Sequence, residues 1–283
     1  MKKPTVEQML EAGLHFGHQT FRWHPNMKPY IFDSRDGIHI IDLMKTEAKL
    51  TDALNFVEQL GREGGTLMLV GTKRQAASLI EALAKANSLP YVANRWPGGL
   101  LTNWPTMKGR IRYLKQVREQ VAKKDFGDMT KQEIGLLEKK LALLENAFGG
   151  LDLLDDLPNA VFIVDTIREK IALREAKKLG IPVIAMLDTN ADPAEIEFPI
   201  PANDDAKQGI QLITQAIVNA FIAERRTKAQ VAAAKKAEEE TEAVSEAELE
   251  EVLAQKEVVE VAEKQEEAEK ESPSKTKKTS IKQ

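Results

Sequence analysis

The side chains best placed to do chemistry in this 283-residue chain are its three tryptophans, all in short, polar, basic segments. Trp23 follows Arg22 in a stretch that also holds His24 and Lys28, with Arg35 a little further on. Trp96 and Trp104 bracket Pro97-Gly98-Gly99-Leu100-Leu101-Thr102-Asn103, with Arg95 immediately before. A flat ring beside a guanidinium, with amide side chains and bare glycine backbone nearby, suits a partner made of bases and phosphates. The competing reading is that the indoles plug irregular ends of a core, since tryptophan is highly buried on average. At the level of composition both stand.

Three other groups invite a chemical reading. Gly71-Thr72-Lys73-Arg74 has one glycine, neither G-x-G-x-x-G nor the P-loop pattern. Backbone N–H groups there could hold a single phosphate at a helix start, and a plain tight turn explains the glycine equally well. Asp165 and Asp188-Thr189-Asn190-Ala191-Asp192 sit where ligands bind in open α/β sheets, and Asn203-Asp204-Asp205 reads as the N-cap of the next helix. They also read as helix caps and turn formers, and no base or nucleophile is paired with them. His15 and His18, with Gly17 between them, offer a weak metal pair, with His24 a third donor, but without H-E-x-x-H or an acid at ligand spacing. Loop hydrogen bonding or packing is the preferred reading, and no cofactor or catalytic residue is expected.

These groups need elements to position them. Thr5 with Gln8 three residues on opens a short helix that Gly13 closes. Residues 14–37 have no clean period and read as a loop-rich arm, followed by a short strand over 37–42 and a helix over about 46–63. Apolar runs at 66–70, 91–92, 160–164 and 181–187 then alternate with helical patterns over about 73–86, 167–179 and 204–225. That alternation predicts an α/β fold, a Rossmann- or flavodoxin-like parallel sheet with helices on both faces. Between them, Met107, Ile111, Leu114, Val117 and Val121 share one helical face. Ile134, Leu137, Leu141, Leu144 and Phe148 repeat at spacings of three and four. Two such seams around a short turn predict a protruding antiparallel coiled-coil hairpin, with Lys108, Arg110 and Arg112 near its root. The expected organisation is 1–104, arm and first part of the α/β domain; 105–148, hairpin insertion; 149–227, second part of the domain; 228–283, tail.

Charge is uneven along the chain. Lys and Arg number 40 against 44 Asp and Glu, yet residues 228–283 alone carry 15 acidic and 10 basic side chains. The body is therefore about neutral, and whole-chain acidity says nothing against a nucleic-acid partner. The tail is Ala, Glu and Lys without an aromatic, and reads as disordered or transiently helical. There is no cysteine, so no disulfide framework or thiolate metal site is available. No stretch approaches the roughly 20 apolar residues of a membrane span, and the N-terminus lacks a signal-peptide core. The expectation is a cytoplasmic protein.

Longer motifs then carry a resemblance. Leu10-Glu11-Ala12-Gly13-Leu14-His15-Phe16-Gly17-His18-Gln19, Asn26-Met27-Lys28-Pro29-Tyr30-Ile31 and Gly37 through Leu43 resemble the family of bacterial small-subunit ribosomal protein number two. So do Gly71-Thr72-Lys73, Arg95 through Asn103, Gly180-Ile181-Pro182-Val183, Asp188-Thr189-Asn190 and Pro199 through Ala206. The likeness is collinear over about residues 5–225. It implies a parallel α/β domain with a helical hairpin. It also implies a non-enzymatic structural role in the small ribosomal subunit, bacterial or organellar, with binding to small-subunit ribosomal RNA. Neighbouring ribosomal proteins would be partners, among them number one, which captures messenger RNA. No membrane or small-molecule substrate is implied.

The chain departs from the family in three places. Pro97 replaces a usual leucine, and Ala191 stands where many members carry cysteine. Asp152 falls in the segment Gly149 through Leu154, where members usually have Gly-Gly-Ile-Lys-Asp-Met, so an RNA contact through that lysine is not expected. The RNA-binding candidates are Arg22, Trp23, Lys28, Arg35, Lys73, Arg74, Arg95, Trp96, Asn103, Trp104, Lys108, Arg110 and Arg112. Among the rings Trp96 is the leading stacking candidate, ahead of Trp23, and Trp104 is a hinge plug. Two other functions are carried as alternatives: a Rossmann-type nucleotide enzyme without its glycine fingerprint, and a coiled-coil adaptor.

Overall fold

A computed structural model describes residues 3–127 and 129–225; the acidic tail expected over 228–283 lies outside the described residues. Thr5 caps α1, Val6–Glu11, and its side chain and that of Gln8 satisfy each other's backbone N–H groups. The arm that follows is more ordered than its lack of period suggests. β1 (Phe16–Gln19), β2 (Ile31–Arg35) and β3 (Ile38–Ile41) form an antiparallel sheet of order β1-β3-β2. Asp36 and Gly37, at φ 49° and 75°, make the tight β2–β3 turn. Both turn positions need left-handed backbone, which Asp and Gly tolerate best.

α2, Leu43–Glu63, starts on the Asp42 carboxylate, which accepts from Met44 N at 3.1 Å. Then come β4 (Leu67–Val70), α3 (Arg74–Ala86) and β5 (Tyr91–Val92). Two helices, α4 (Trp104–Lys123) and α5 (Lys131–Phe148), separate β5 from β6 (Ala160–Val164). α6 (Lys170–Leu179), β7 (Val183–Leu187), β8 (Phe198–Pro201) and a helix over 207–225, α7, complete the domain. α6 begins three residues later than its periodicity suggests, because Asp165 turns the chain first. Asp165 sits at φ 66°, and its Oδ1 accepts from the N–H groups of Ile167 and Arg168.

The second sheet is parallel, with strand order β5-β4-β6-β7-β8. This is the doubly wound order in which the chain starts near the middle, goes one way, then reverses. Its switch point falls between β4 and β6. β4, β6 and β7 are buried along their whole length, which is why they read as unbroken apolar runs. Alternate residues feed two cores. Leu67, Leu69, Phe162 and Ile184 face α2, α3 and α7, while Met68, Val161, Ile163 and Ala185 face α6 and the start of α4. β8, Phe-Pro-Ile-Pro, pairs with β7 on one side only, so its prolines fall on an edge strand where a missing donor is tolerated.

Candidate nucleic-acid interface and the strand-end crevice

The crevice at the C-terminal strand ends is where a ligand would enter such a sheet. Here the chain fills it. Lys73, after β4, places Nζ 2.7 Å from Asp204, 2.6 Å from Asp205 and 3.4 Å from Asp165. Thr72 N and Oγ1 both donate to Glu169, the backbone bond being 2.9 Å. The N–H group of the turn just before α3 is thus bound to an internal carboxylate. Glu169 is buried, and burial pushes its carboxyl up despite the Thr72 bonds.

The N-terminal arm closes the same region from above. His18 N donates to Asp188 Oδ1 at 3.1 Å and to Thr189 Oγ1 at 2.9 Å, and His24 N donates to Thr189 O at 2.8 Å. A Cβ on Gly17 would lie 2.6 Å from Thr189, so only glycine lets β1 come this close. The His18 Nδ1 lies 2.9 Å from Asp188 Oδ2. That hydrogen bond, helped by the charges of Asp188, Asp204 and Asp205, raises the imidazole pKa against the opposing effect of burial. Burial, with Asp165 and Asp188 nearby, pushes Asp204 up to about 7 against the pull of Lys73. For Lys73 itself burial acts downward, but its bonds to Asp204 and Asp205 win and hold it protonated. Donor atoms of His18, Asp188, Asp204 and Asp205 lie within 4.8 Å of one another, a spacing a metal ion could use. The Lys73 ammonium already sits against two of those carboxylates. His15 does not join them: its ring rests on Phe16, 3.9 Å between centroids, and burial lowers its pKa.

The other candidates separate by exposure. Trp96 is 6 % exposed and donates from Nε1 to Glu175 at 3.2 Å. Its ring belongs to the core beneath β4 and β6, so it offers no face to a base, and its rank ahead of Trp23 is corrected: Trp23 is 38 % exposed. The sequence context misleads because the glycines beside Trp96 serve an internal anion. Glu175 of α6 accepts from the backbone N–H groups of Gly99 (2.7 Å), Leu101 (2.9 Å) and Thr102 (3.2 Å) as well as from Trp96. Trp104 is 8 % exposed at the start of α4, with Lys108 6.0 Å from its ring. Asn103 is exposed just before it.

Arg22, Lys28, Arg35, Arg74, Arg95, Arg110 and Arg112 are all exposed, and none forms an ion pair among the described residues. Arg22 lies 5.4 Å from the ring of Phe21, itself 73 % exposed, an aromatic that the attention to tryptophan missed. Glu169 and Glu175 were missed for a different reason. The sign available was an acid on the apolar side of α6, beside Ala172, Leu173 and Ala176.

The fold and the site together define a class: a doubly wound α/β protein whose ligand crevice is occupied by its own side chains and whose unpaired cations lie outside it. Comparison with known proteins makes the class specific. The profile of the family described as Ribosomal protein S2 matches residues 9–224. Small ribosomal subunit protein uS2 of Dehalococcoides mccartyi is 45 % identical over 222 residues, covering 78 % of this chain and 91 % of that protein. The protein of the same name from Chloroflexus aggregans is 49 % identical over 218 residues, covering 77 % and 92 %. The chain belongs to the ribosomal protein S2 family. No helix among the described residues is long and apolar enough to cross a membrane.

Proposed function

We propose that this chain is a structural, non-catalytic constituent of the small ribosomal subunit that binds small-subunit ribosomal RNA in the cytoplasm. The observation that carries the RNA reading is the split among its cations. Seven of the candidate arginines and lysines are exposed with no ion pair among the described residues, while Lys73 is neutralised internally. Phosphate contacts by Lys and Arg position a protein on nucleic acid, and exposed rings such as Trp23 and Phe21 stack on unpaired bases. The working interface is Arg22, Trp23, Lys28 and Arg35 on the arm, Arg74, and Arg95, Asn103, Lys108, Arg110 and Arg112 around the start of α4.

α4 and α5 act as a projecting coiled-coil hairpin inserted at 105–148 between the two parts of the α/β domain, 1–104 and 149–227, with 228–283 as a separate tail. Support comes from the two apolar seams and from cross-links between the helices. Arg118 donates to both Glu145 oxygens at 2.7 and 2.8 Å, and Lys140 Nζ lies 2.6 Å from the Tyr113 hydroxyl. Arg118 also holds Asp152, the residue that stands in place of the family's lysine. Neighbouring ribosomal proteins, including number one, are the protein partners; this part rests on the family resemblance.

The test is a salt titration of binding to a small-subunit ribosomal RNA transcript. Each phosphate contact adds about −0.7 to −0.9 to the slope of log K against log salt, so a steep slope is expected and a flat one ends the RNA reading.

A further inference from the structure

α6 shows solvent a set of charges that the helix sequence hides. Between residues 168 and 178 the chain carries Arg168, Glu169, Lys170, Arg174, Glu175, Lys177 and Lys178. Both acids point inward, Glu169 to Thr72 and Glu175 to the 99–102 backbone. All five bases are exposed. Of these, Lys177 reaches Glu195 only at 3.5 Å, and Arg168 donates to Thr72 Oγ1 at 3.1 Å. Lys170, Arg174 and Lys178 form no ion pair among the described residues.

Lys170, Arg174 and Lys178 are four residues apart, so they fall on one helical face and climb it in steps of about 6 Å. They line one wall of an open groove of about 810 Å³ whose other wall carries His24 and Asp192. The groove is lined by Lys170, Arg174, Lys177 and Lys178 against the two carboxylates of Asp192 and Glu195, so the balance of charge facing it is positive. Exposed Ile167 and Ile171 lie beside the cations and offer apolar contact without sequence preference. A row of cations at regular rise suits a polyanion with regularly spaced charges better than a single anion.

We propose that the exposed face of α6 is a second RNA-backbone contact, seating a run of phosphates on Lys170, Arg174 and Lys178 in addition to the arm and the α4 root. The proposal rests on the RNA-binding reading above and extends it to a surface that reading does not use. It follows from the inward turn of Glu169 and Glu175: with both acids consumed by the fold, the helix has no internal counter-charge for its bases.

The experiment compares the full chain with Lys170→Gln/Arg174→Gln/Lys178→Gln in salt titrations against a small-subunit ribosomal RNA transcript. Circular dichroism checks that the variant folds. Arg174→Lys, which keeps the charge, serves as a second variant. The expected result is a slope of log K against log salt shallower by about 2 in the triple variant and unchanged in Arg174→Lys. A steep wild-type slope that the triple variant retains overturns this inference and leaves the RNA reading standing. A flat wild-type slope overturns both. If the triple variant keeps its RNA slope but enters small subunits lacking a neighbouring protein, α6 is a protein contact and the inference fails.

Discussion

Lys73 and Arg110 carry the same charge on the same domain and meet opposite environments. Lys73 lies among Asp165, Asp204 and Asp205 at the sheet's switch point, where sister folds bind ligands. Arg110 stands exposed on α4 without a carboxylate. The crevice around Lys73 is sealed by bonds from four separate parts of the chain: the arm through His18, the turn after β4, the start of α6 and the 203–205 turn. The rim around Arg110 has no such closure. The difference separates holding the fold together from meeting a partner, and basic residues near glycine turns serve either purpose.

The comparison breaks if the sealed region proves dispensable for stability. The largest effect is expected at Glu175, whose carboxylate satisfies several donors of the 96–102 loop at once. Glu175→Ala leaves those groups buried and unpaired and is expected to cost about 4 kcal/mol in urea unfolding. A loss within about 0.5 kcal/mol, the range of an ordinary surface substitution, would show that the loop does not depend on this acid. Lys73→Met comes next, at about 3 kcal/mol, because it strands carboxylates that folding has drawn together. A variant as stable as the parent would mean the crevice is not sealed by this ammonium.

A smaller effect sharpens the picture through pH. His18 has a raised pKa in the fold through Asp188, so its stabilisation is complete below its unfolded value of 6.5 and disappears as pH rises through the raised value. Asp204, pushed up to about 7, acts in the same direction, since its favoured protonated form is lost as pH climbs from its ordinary 3.8. The urea midpoint is therefore expected to fall as pH rises from about 4 to about 7 through Asp204 and to go on falling above 6.5 through His18, and His18→Gln to flatten the part above 6.5. An unaltered pH profile in the variant would place the titration elsewhere.

Much of the α/β domain was legible from its apolar runs, because β4, β6 and β7 are buried along both faces and leave no alternation to misread. β8 was hidden by Pro199 and Pro201, which argue against a strand unless it is known to lie at an edge. The small antiparallel sheet was hidden because β1 and β2 are mostly exposed and only Ile38–Ile41 has strand-like composition; Asp36-Gly37 was the available hairpin signal. The site was harder. His18, Lys73, Asp188 and Asp204 are spread across most of the chain, and no local pattern says that they meet. The same holds for Trp96. Its neighbours look like a ligand loop, and the acid that claims the loop lies 79 residues away.

The most direct test of the central claim compares two variants in one salt titration against a small-subunit ribosomal RNA transcript. Arg95→Gln/Arg110→Gln/Arg112→Gln is expected to make the slope of log K against log salt shallower by about 2, while Lys73→Met leaves it unchanged. A slope that falls with Lys73→Met and survives the loss of the three arginines would contradict the account, because it would place the RNA phosphates in the crevice that the protein fills with its own charges.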